Sequence, residues 1–485
     1  MNIVFINADT FRRDHLGLYG NRWIRTPNLD RFAAESVVFD RAYAGSFPTV
    51  PNRLDVLTGT FVFPYFNWAP LPAEAVCFPR LLNEAGYVTM MVCDTPHILQ
   101  HGYNFQRDFA AFEWIRGQEN DRWRTHPREV AYPCDPRKIR NTTKALAKFR
   151  GNNTPTLVQH LRNTADRKSE ADCFAARTMQ AACDWLERNY REGRFFLYVD
   201  TFDPHEPWDP PRHYVEMYDP GYRGQEVTYP RYDFCDFMTR RELRHVRALY
   251  AGECSMVDRW VGRLLDKIDD LNLRDNTLVL FTTDHGFLHG EHGIIGKAII
   301  RDEGMGRVPL YEEIARIPLI VRHPKVKGGR RTDALVQPPD IAPTVLECAA
   351  SAVPPNMHGR SLLPLLAGKT RRLREIAVSS GSIFAGKRTY QPSTITTGRW
   401  SLIYSNPVEP PETRETTRAV DSIARAEIDG LFGRLSLYDL KNDPAQKHNL
   451  ARKQPHMVRK IHAKYLRFLE DIGTAPEVID ARREL

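Results

Sequence analysis

The sequence predicts an α/β fold: a mostly parallel sheet covered by helices on both faces, followed by a small C-terminal α+β subdomain with an antiparallel sheet. Three observations carry this. Near-continuous apolar runs of strand length recur through the first three quarters of the chain, the pattern of strands buried on both faces. Helical patterns alternate with those runs, as a parallel sheet requires of its crossovers. From about residue 376 the texture changes to short strands with no helix between them.

The elements follow in order. "NIVFINA" reads as a strand ending at Asp9. In "TPNLDRFAAES", Thr26 can cap a helix and Pro27 suits its first turn. "CFPRLLNEAG" is a helix closed by Gly86, and "YVTMMVC" the strand after it. "DCFAARTMQAACDWLERNY" places Phe174, Met179, Ala182, Trp185, Leu186 and Tyr190 near helical spacing. "RFFLYVDTF" is a buried strand, "TRRELRHVRALYAGECSMVDRWVGRLLDKIDDL" a long helix, and "TLVLFTTD" and "IPLIVR" are strands. "PPDIAPTVLECAAS" closes this region as a helix with Asp340 near its start. Beyond it, "EIAVSS", "STITTGRWSLIYS" and "LSLYDL" are strands and "QPHMVRKIHAKYLRFLEDI" a terminal helix. The expected division is 1–375 and 376–485, with loop-rich insertions at about 100–170 and 205–240 that are candidates for substrate walls.

Composition narrows the function classes. With 42% hydrophobic and 26% charged residues, the 485-residue chain is an ordinary globular one. The net charge of +8 is spread as scattered arginines rather than one basic run, which argues against a nucleic-acid partner and fits an anionic small molecule. No window approaches the roughly 18 apolar residues of a membrane span. The chain opens directly on a strand with no basic leader or apolar h-region, so the expectation is a cytoplasmic protein with no membrane partner; a homo-oligomer stays open. The eight cysteines are widely spaced and contain no CxxC pair, as expected of buried thiols.

The chemistry collects at strand ends. Asp9 ends the first strand, and Asp284 and His285 end "TLVLFTTD". Ligands of open α/β sheets bind beyond the carboxyl ends of the strands. Two carboxylates and an imidazole converging there would hold one divalent cation: Ca²⁺, Mg²⁺, Mn²⁺ or Zn²⁺.

Several strings then occur in a fixed order: "NIVFINADTFRRDHLGLYGN", "TPNLDRFAAESVVFDRAYA", "TVPNRLDVLTG", "DPHEPWDPP", "TTDHGFLHGEHGIIGK", "RIPLIVRHP", "DIAPTVL" and "SLYDLKNDPAQKHNLA". In this order the chain resembles the sulfatase family of the alkaline phosphatase superfamily, which includes phosphonate monoester hydrolases. The resemblance implies an alkaline phosphatase-like fold and a metal-dependent hydrolase of sulfuric, phosphoric or phosphonic esters. It implies Asp9, Asp284 and His285 as metal ligands, with Thr10 where the family often has a second acid. Sulfatases read Cys-x-Pro-Ser-Arg at the nucleophile, the Cys oxidised to formylglycine; this chain reads Thr49-Val50-Pro51-Asn52-Arg53, so no formylglycine is expected. By the same resemblance Thr49 is the nucleophile and fourth metal ligand. Arg53 holds the nucleophile turn and the substrate anion, Lys297 binds an anion oxygen, and His205 acts near the leaving group. Asp94 stands where a Lys is expected, and His97 replaces a substrate-binding histidine with a one-residue shift.

Other readings are set aside here. Cys77 in "CFPR" lacks the motif's arginine, since position 81 is Leu; His289 and His292 are not assigned as ligands; and His358 is kept only as a remote candidate for a second metal, whose Asp-x-x-x-His partner set is missing around Asp200 and Asp203.

A threonine alters the expected chemistry. A formylglycine hydrate expels sulfate with its second hydroxyl, whereas threonine has one hydroxyl. A phosphorylated threonine can be cleaved by water at phosphorus, so the residue shifts preference toward a phosphodiester or phosphonate monoester, while the frame keeps sulfate esters open. The rivals are a true sulfatase acting on an aryl or sugar sulfate, a catalytically degenerate anion-binding homologue and a phosphotransferase.

Overall fold

Eight strands build the central sheet: β1 (Asn2–Ala8), β2 (Val37–Tyr43), β3 (Val88–Cys93), β4 (Ala111–Trp114), β5 (Phe195–Thr201), β6 (Thr277–Thr282), β7 (Arg316–Arg322) and β8 (Arg330–Val336). The computed structural model describes residues 1–100, 102–140, 154–301, 304–383, 392–406 and 434–485. The strands lie in the order β8-β2-β7-β6-β1-β5-β3-β4. All neighbours are parallel except β7, which runs antiparallel to both β6 and β2.

The apolar runs are buried on both faces, as their composition predicts. In β1, Val4, Ile6 and Ala8 point to one side, among residues of the helices Phe174–Asn189 and Arg240–Asp270. Ile3 and Phe5 point to the other, with residues of α2 (Thr49–Thr58), which follows α1 (Pro27–Ala34), and of the helix Ile341–Cys348. Each large side chain buried this way contributes roughly 1.5–3 kcal/mol. The 31-residue helix Arg240–Asp270 begins with a capping box: Thr239 Oγ1 accepts from Glu242 N, and Thr239 N donates to Glu242 Oε2 at 2.9 Å.

Three local features differ from the sequence reading. Thr26 does not cap its helix, Pro27–Ala34; its hydroxyl instead accepts from Gly17 N at 3.0 Å, tying down the preceding loop. β2 and β8 were not legible as strands. β2 carries the half-buried Asp40 and Arg41 in its middle, and β8 starts at an edge with "RRTD", whose side chains are half-exposed or exposed. Polar residues there meet each other, as when Arg331 Nε donates to Asp40 Oδ2 at 3.1 Å, so neither strand shows an apolar run.

The C-terminal sheet is antiparallel throughout, in the order Ala377–Ser380, Ser393–Thr396, Trp400–Tyr404, Leu435–Asp439. Val458, Ile461, Tyr465 and Leu469 of the helix Pro455–Asp471 pack on it together with Phe61 and Phe63 from just after α2. In the region 100–170, β4 adds an edge strand beside β3, and Thr156–Thr164 is a helix. The region 205–240 holds the short helix Arg212–Glu216 and a strand, Asp233–Phe234, paired with Ile294–Gly296. The two regions touch through a bridge between Ile139 and Pro230.

No helix among the described residues is long and apolar enough to cross a membrane. The cysteines are free, six of them buried, and burial pushes the Cys134 and Cys183 thiols up to about 11.

Candidate active site

Strands β6, β1 and β5 are neighbours, and each delivers an acid to the same edge of the sheet. The register pairs Asn7 with both Asp200 and Thr282, which sets Asp284 level with Asp9 and Asp200 two residues short of them on the neighbouring strand. Asp9, Asp284 and His285 are fully buried, and one donor atom from each lies within 4.8 Å of the others. His285 Nδ1 donates to Gly286 O at 3.0 Å, which leaves Nε2 as a lone pair facing the carboxylates, 3.4 Å from Asp284 Oδ2. Burial lowers the imidazole to about 3, so it stays neutral and able to ligate. Burial also drives Asp9 well up, reinforced by Asp284. For Asp284 burial works the same way, but His285, Arg53 and Lys297 outweigh it and hold the carboxyl below its usual range.

Thr10, at the position of the missing second acid, sits in the left-handed region with φ 60°. That conformation is costly for a β-branched residue and is held here by two bonds. Its hydroxyl donates to Asp9 Oδ1 at 2.6 Å and its amide to Asp284 Oδ1 at 3.0 Å. The site thus has a hydrogen-bond donor at the position where the resemblance implies a second acid.

Helix α2 starts at Thr49 and aims its first turn at the cluster. Asn52 Nδ2 donates to Asp284 O at 3.1 Å. Arg53 lies 1% exposed and is shared among three carboxylates: Nε and Nη2 donate to Asp200 at 3.0 and 2.8 Å, and Nη1 reaches both Asp284 Oδ2 and Asp9 Oδ2, the latter at 2.8 Å. Burial disfavours its charge, but Asp200, Asp284 and Asp9 reverse this and hold it protonated. The sequence reading gave Arg53 the nucleophile turn and the substrate anion. Its bond to the turn is long, Nη1 to Thr49 O at 3.5 Å, and its main partners are the acids. Thr49 itself is buried at the first position of α2.

The residues fit a divalent cation. Asp9 Oδ2 is buried with no hydrogen bond of good geometry despite its contact with Arg53. Among the described residues, the cations facing the three buried carboxylates are Arg53 and Lys297, one positive charge short of the acids. Carboxylate oxygens with one imidazole nitrogen are the donor set of a hard or borderline divalent ion.

Lys297 is buried, with Nζ 3.3 Å from His285 Nε2. Burial lowers its pKa, against Asp9, Glu206 and Asp284, which raise it. His205 stacks on Phe202 at 4.0 Å, and its Nδ1 donates to Glu206 O at 2.7 Å. Burial and Lys297 depress it well below the usual histidine range, so its Nε2 carries a lone pair rather than a proton. His97 Nε2 lies 3.0 Å from Glu119 Oε2. Asp94 is committed to donors of the chain itself: it accepts from Thr178 Oγ1 at 2.9 Å, from Thr201 Oγ1 at 3.1 Å and from Phe202 N, and so pins the turn after β5.

His358 is not part of the cluster. Its Nδ1 accepts from Phe61 N at 3.0 Å beneath the C-terminal sheet, and the described residues gather one acid–histidine group with metal spacing. His289 is enclosed by the rings of Trp208, Tyr250 and Phe287, and His292 stacks on Tyr311 at 3.6 Å.

Sequence reasoning missed Asp200 as the anchor of Arg53, although a third acid near the end of a third buried strand was the available signal. It also missed Glu119, Arg140, Glu206, Tyr229 and Tyr232, which form a buried network beside His97 and His205.

A sequence profile of the sulfatase family matches residues 1–351. The chain is 26% identical over 417 residues to an N-acetylglucosamine-6-O-sulfatase of Bacteroides thetaiotaomicron, covering 76% of this chain and 72% of that protein. It is 25% identical over 412 residues to an arylsulfatase of Clostridium perfringens, covering 77% and 80%. In structure it is similar to the phosphonate monoester hydrolase of Agrobacterium radiobacter, with a TM-score of 0.71, 20% identity, and 97% and 96% of the two chains covered. The match over nearly three quarters of its length, on a fold with this sheet and these strand-end acids, establishes that the chain belongs to the sulfatase family, hydrolases of ester bonds.

Proposed function

We propose that the protein hydrolyses a sulfuric, phosphoric or phosphonic ester through Thr49, with phosphodiesters and phosphonate monoesters preferred. The observation that supports this most is the buried Asp9–Asp284–His285 cluster with Arg53 and Lys297 at its rim and the first turn of α2 above it. One divalent cation held by Asp9, Asp284 and His285, with the Thr49 hydroxyl as fourth donor, would lower the pKa of that hydroxyl and offset charge on the ester oxygens.

The chain's own groups do the rest. Lys297 and the amide end of α2 attract the anionic head of the ester. Arg53 neutralises the acids and holds the first turn of α2 in place. Thr49 Oγ1, its proton passed to solvent, attacks phosphorus or sulfur in line; the bond to the leaving oxygen breaks, Lys297 offsets the charge on that oxygen, and the oxygen takes a proton from water. His205, neutral with Nε2 unprotonated, is suited to take the proton from the water that cleaves the threonyl ester. The resemblance places His205 near the leaving group, where it would protonate or stabilise the leaving oxygen; an Nε2 without a proton favours accepting one.

Thr49 has one hydroxyl, and direct attack by water is easier at a phosphoryl than at a sulfuryl threonine; the likeness to a phosphonate monoester hydrolase fits this. The relatives named as sulfatases favour the second reading, a sulfuric ester hydrolase acting on an aryl or sugar sulfate.

The test is turnover of aryl sulfate, aryl phosphate, phosphodiester and phosphonate monoester substrates by the metal-loaded protein, with metal content measured alongside. Thr49→Ala is expected to keep its metal and lose at least ~10³-fold in kcat/KM. Wild-type-like turnover in that variant would remove Thr49 as nucleophile. Sulfate as the best substrate would replace the first reading with the second. A metal-loaded wild type inert on all four classes would leave an anion-binding homologue.

A further inference from the structure

The regions 100–170 and 205–240 meet beside the reacting groups through paired backbone. Arg140 N donates to Tyr229 O at 3.0 Å, and Arg231 N donates to Lys138 O at 2.9 Å. The pairing carries the Arg140 guanidinium inward, over the rings of Tyr229 and Tyr232 at 4.4 and 4.6 Å. There Nη1 donates to Glu206 Oε1 at 2.9 Å and Nη2 to Glu119 Oε1 at 2.7 Å. The tyrosine hydroxyls complete the arrangement, Tyr229 donating to Glu119 Oε1 at 2.8 Å and Tyr232 to Glu206 Oε1.

Both carboxylates are fully buried, and both divide their oxygens in the same way. Oε1 serves the arginine and a tyrosine. Oε2 has no such donor and faces an imidazole: Glu119 Oε2 lies 3.0 Å from His97 Nε2, and Glu206 Oε2 lies 3.2 Å from His205 Nδ1. One arginine fork therefore fixes two acids, and each acid addresses one histidine. A lysine could supply the charge but not two planar, divergent hydrogen bonds.

We propose that Arg140, Glu119 and Glu206 are positioning residues that fix the ring orientation and proton location of His205 and His97 at the leaving-group side of the ester. This rests on the ester-hydrolase reading above. None of the three contacts the reacting atoms; they act through the two imidazoles. The groups facing His205 are Lys297, Glu119, Arg140 and Glu206, with the Phe202 ring on its face. Removing Arg140 deletes a positive charge and leaves two buried carboxylates without their cation. Both changes favour a second proton on His205. The Nδ1–H form, with its lone pair at Nε2, would then lose population to the doubly protonated ring.

The test reads the histidine directly. In protein labelled with ¹⁵N-histidine, the His205 signals are identified by their loss in His205→Gln and followed against pH. Wild-type His205 is expected to stay the neutral Nδ1–H tautomer through the neutral range. In Arg140→Ala its titration is expected to rise by about one unit or more. In parallel, kcat on the best ester is expected to fall about 10- to 100-fold with KM little changed. Arg140→Lys should recover part of the loss, and guanidinium at non-denaturing concentration should restore activity to Arg140→Ala but not to Glu206→Ala. If Arg140→Ala does not fold, Glu206→Gln, which keeps the shape and removes the charge, is judged by the same spectrum with the opposite sign. An unmoved His205 in the folded variant overturns the proposal whatever the assays show. A wild type inert on every ester but with His205 displaced in the variants keeps the network and removes the hydrolase reading. Normal turnover with His205 unmoved does the reverse.

Discussion

The floor of the site and the wall beside it are both buried and both charged, yet they are held by different means. In the floor, Asp9, Asp200 and Asp284 stand where three adjacent strands end, and the ladder that pairs Asn7 with Asp200 and Thr282 decides their spacing. In the wall, Glu119, Arg140, Glu206, Tyr229 and Tyr232 come from two connecting regions and are placed by bonds to one another. Backbone register places a group independently of its neighbours' chemistry. A side-chain network places each member only while the others are present. Single changes in the floor should therefore act locally on the cation and the reaction, whereas changes in the wall should be strongly non-additive.

The largest effect belongs to the floor. Asp284→Asn removes one of the acids facing Arg53 and a proposed ligand of the cation, while β6 and its pairing stay intact. Loss of bound divalent metal and a fall in kcat/KM of at least ~10³-fold are expected, with a folded protein by circular dichroism. Removing the metal from the wild type with a chelator should lower Tm, and restoring it should reverse the change, because a ligand that binds only the folded state stabilises it. Full metal content with full activity in Asp284→Asn would break the comparison at its stronger end.

The next effect separates the floor from the turn that supports it. Asp55, two residues beyond Arg53 on α2, is a buried acid with no cation. It accepts from Ser46 N and Oγ at 2.6 Å and from Val62 N at 2.9 Å, closing the turn that carries Thr49. Burial raises it to about 7 in spite of those donors. Its folded pKa lies above its unfolded one, so the native state binds more protons between the two values. Stability contributed by this group is present at low pH and is lost as pH rises from about 4 through about 7, on the order of 4 kcal/mol. Asp55→Asn should flatten that slope in urea unfolding while lowering stability overall, since an amide offers one acceptor to the three donors. An unchanged slope would assign the pH dependence elsewhere.

What was legible in the sequence follows the same division. The floor could be read because strand burial forces an apolar run, and the polar residue that ends such a run is conspicuous. "NIVFINAD" and "TLVLFTTDH" gave Asp9, Asp284 and His285, and the structure brings those three together. The alternating architecture was legible for the same reason. The strand Val37–Tyr43 was not, because Asp40 and Arg41 interrupt it, and Asp40's partner Arg331 lies some 290 residues away. Asp200 ended an equally plain run, but its role depends on Arg53 reaching across the sheet, which no local pattern records. The wall had no local signal at all. Glu119 and Arg140 lie in stretches without periodicity, and their meaning comes only from a bridge between Ile139 and Pro230. Replacement of the expected Lys by Asp94 likewise had a physical reason visible only in three dimensions: that position pins a turn.

The smallest expected effect is the sharpest test of the wall. With Glu119, Glu206 and Arg140 all present, two buried carboxylates face one buried guanidinium. Burial pushes Glu206 upward, whereas His97 and Arg140 overcome burial and hold Glu119 below its usual range, so Glu119 is the more firmly ionised of the two. Glu206→Gln leaves Arg140 matched by Glu119, and Glu119→Gln leaves it matched by Glu206. Each single change keeps a one-to-one pair and should cost little. The double variant leaves a buried guanidinium over two tyrosines with no carboxylate, which neither single variant does. The double loss in urea unfolding should therefore exceed the sum of the singles by about 1–2 kcal/mol. The same cycle run between the wall and Asp55, which share no partner, should close to within about 0.5 kcal/mol. Additive losses for Glu119 and Glu206 would mean that each acid is held by its own tyrosine and histidine rather than by the arginine they share. The wall would then be two independent contacts, and the contrast with the register-built floor would disappear.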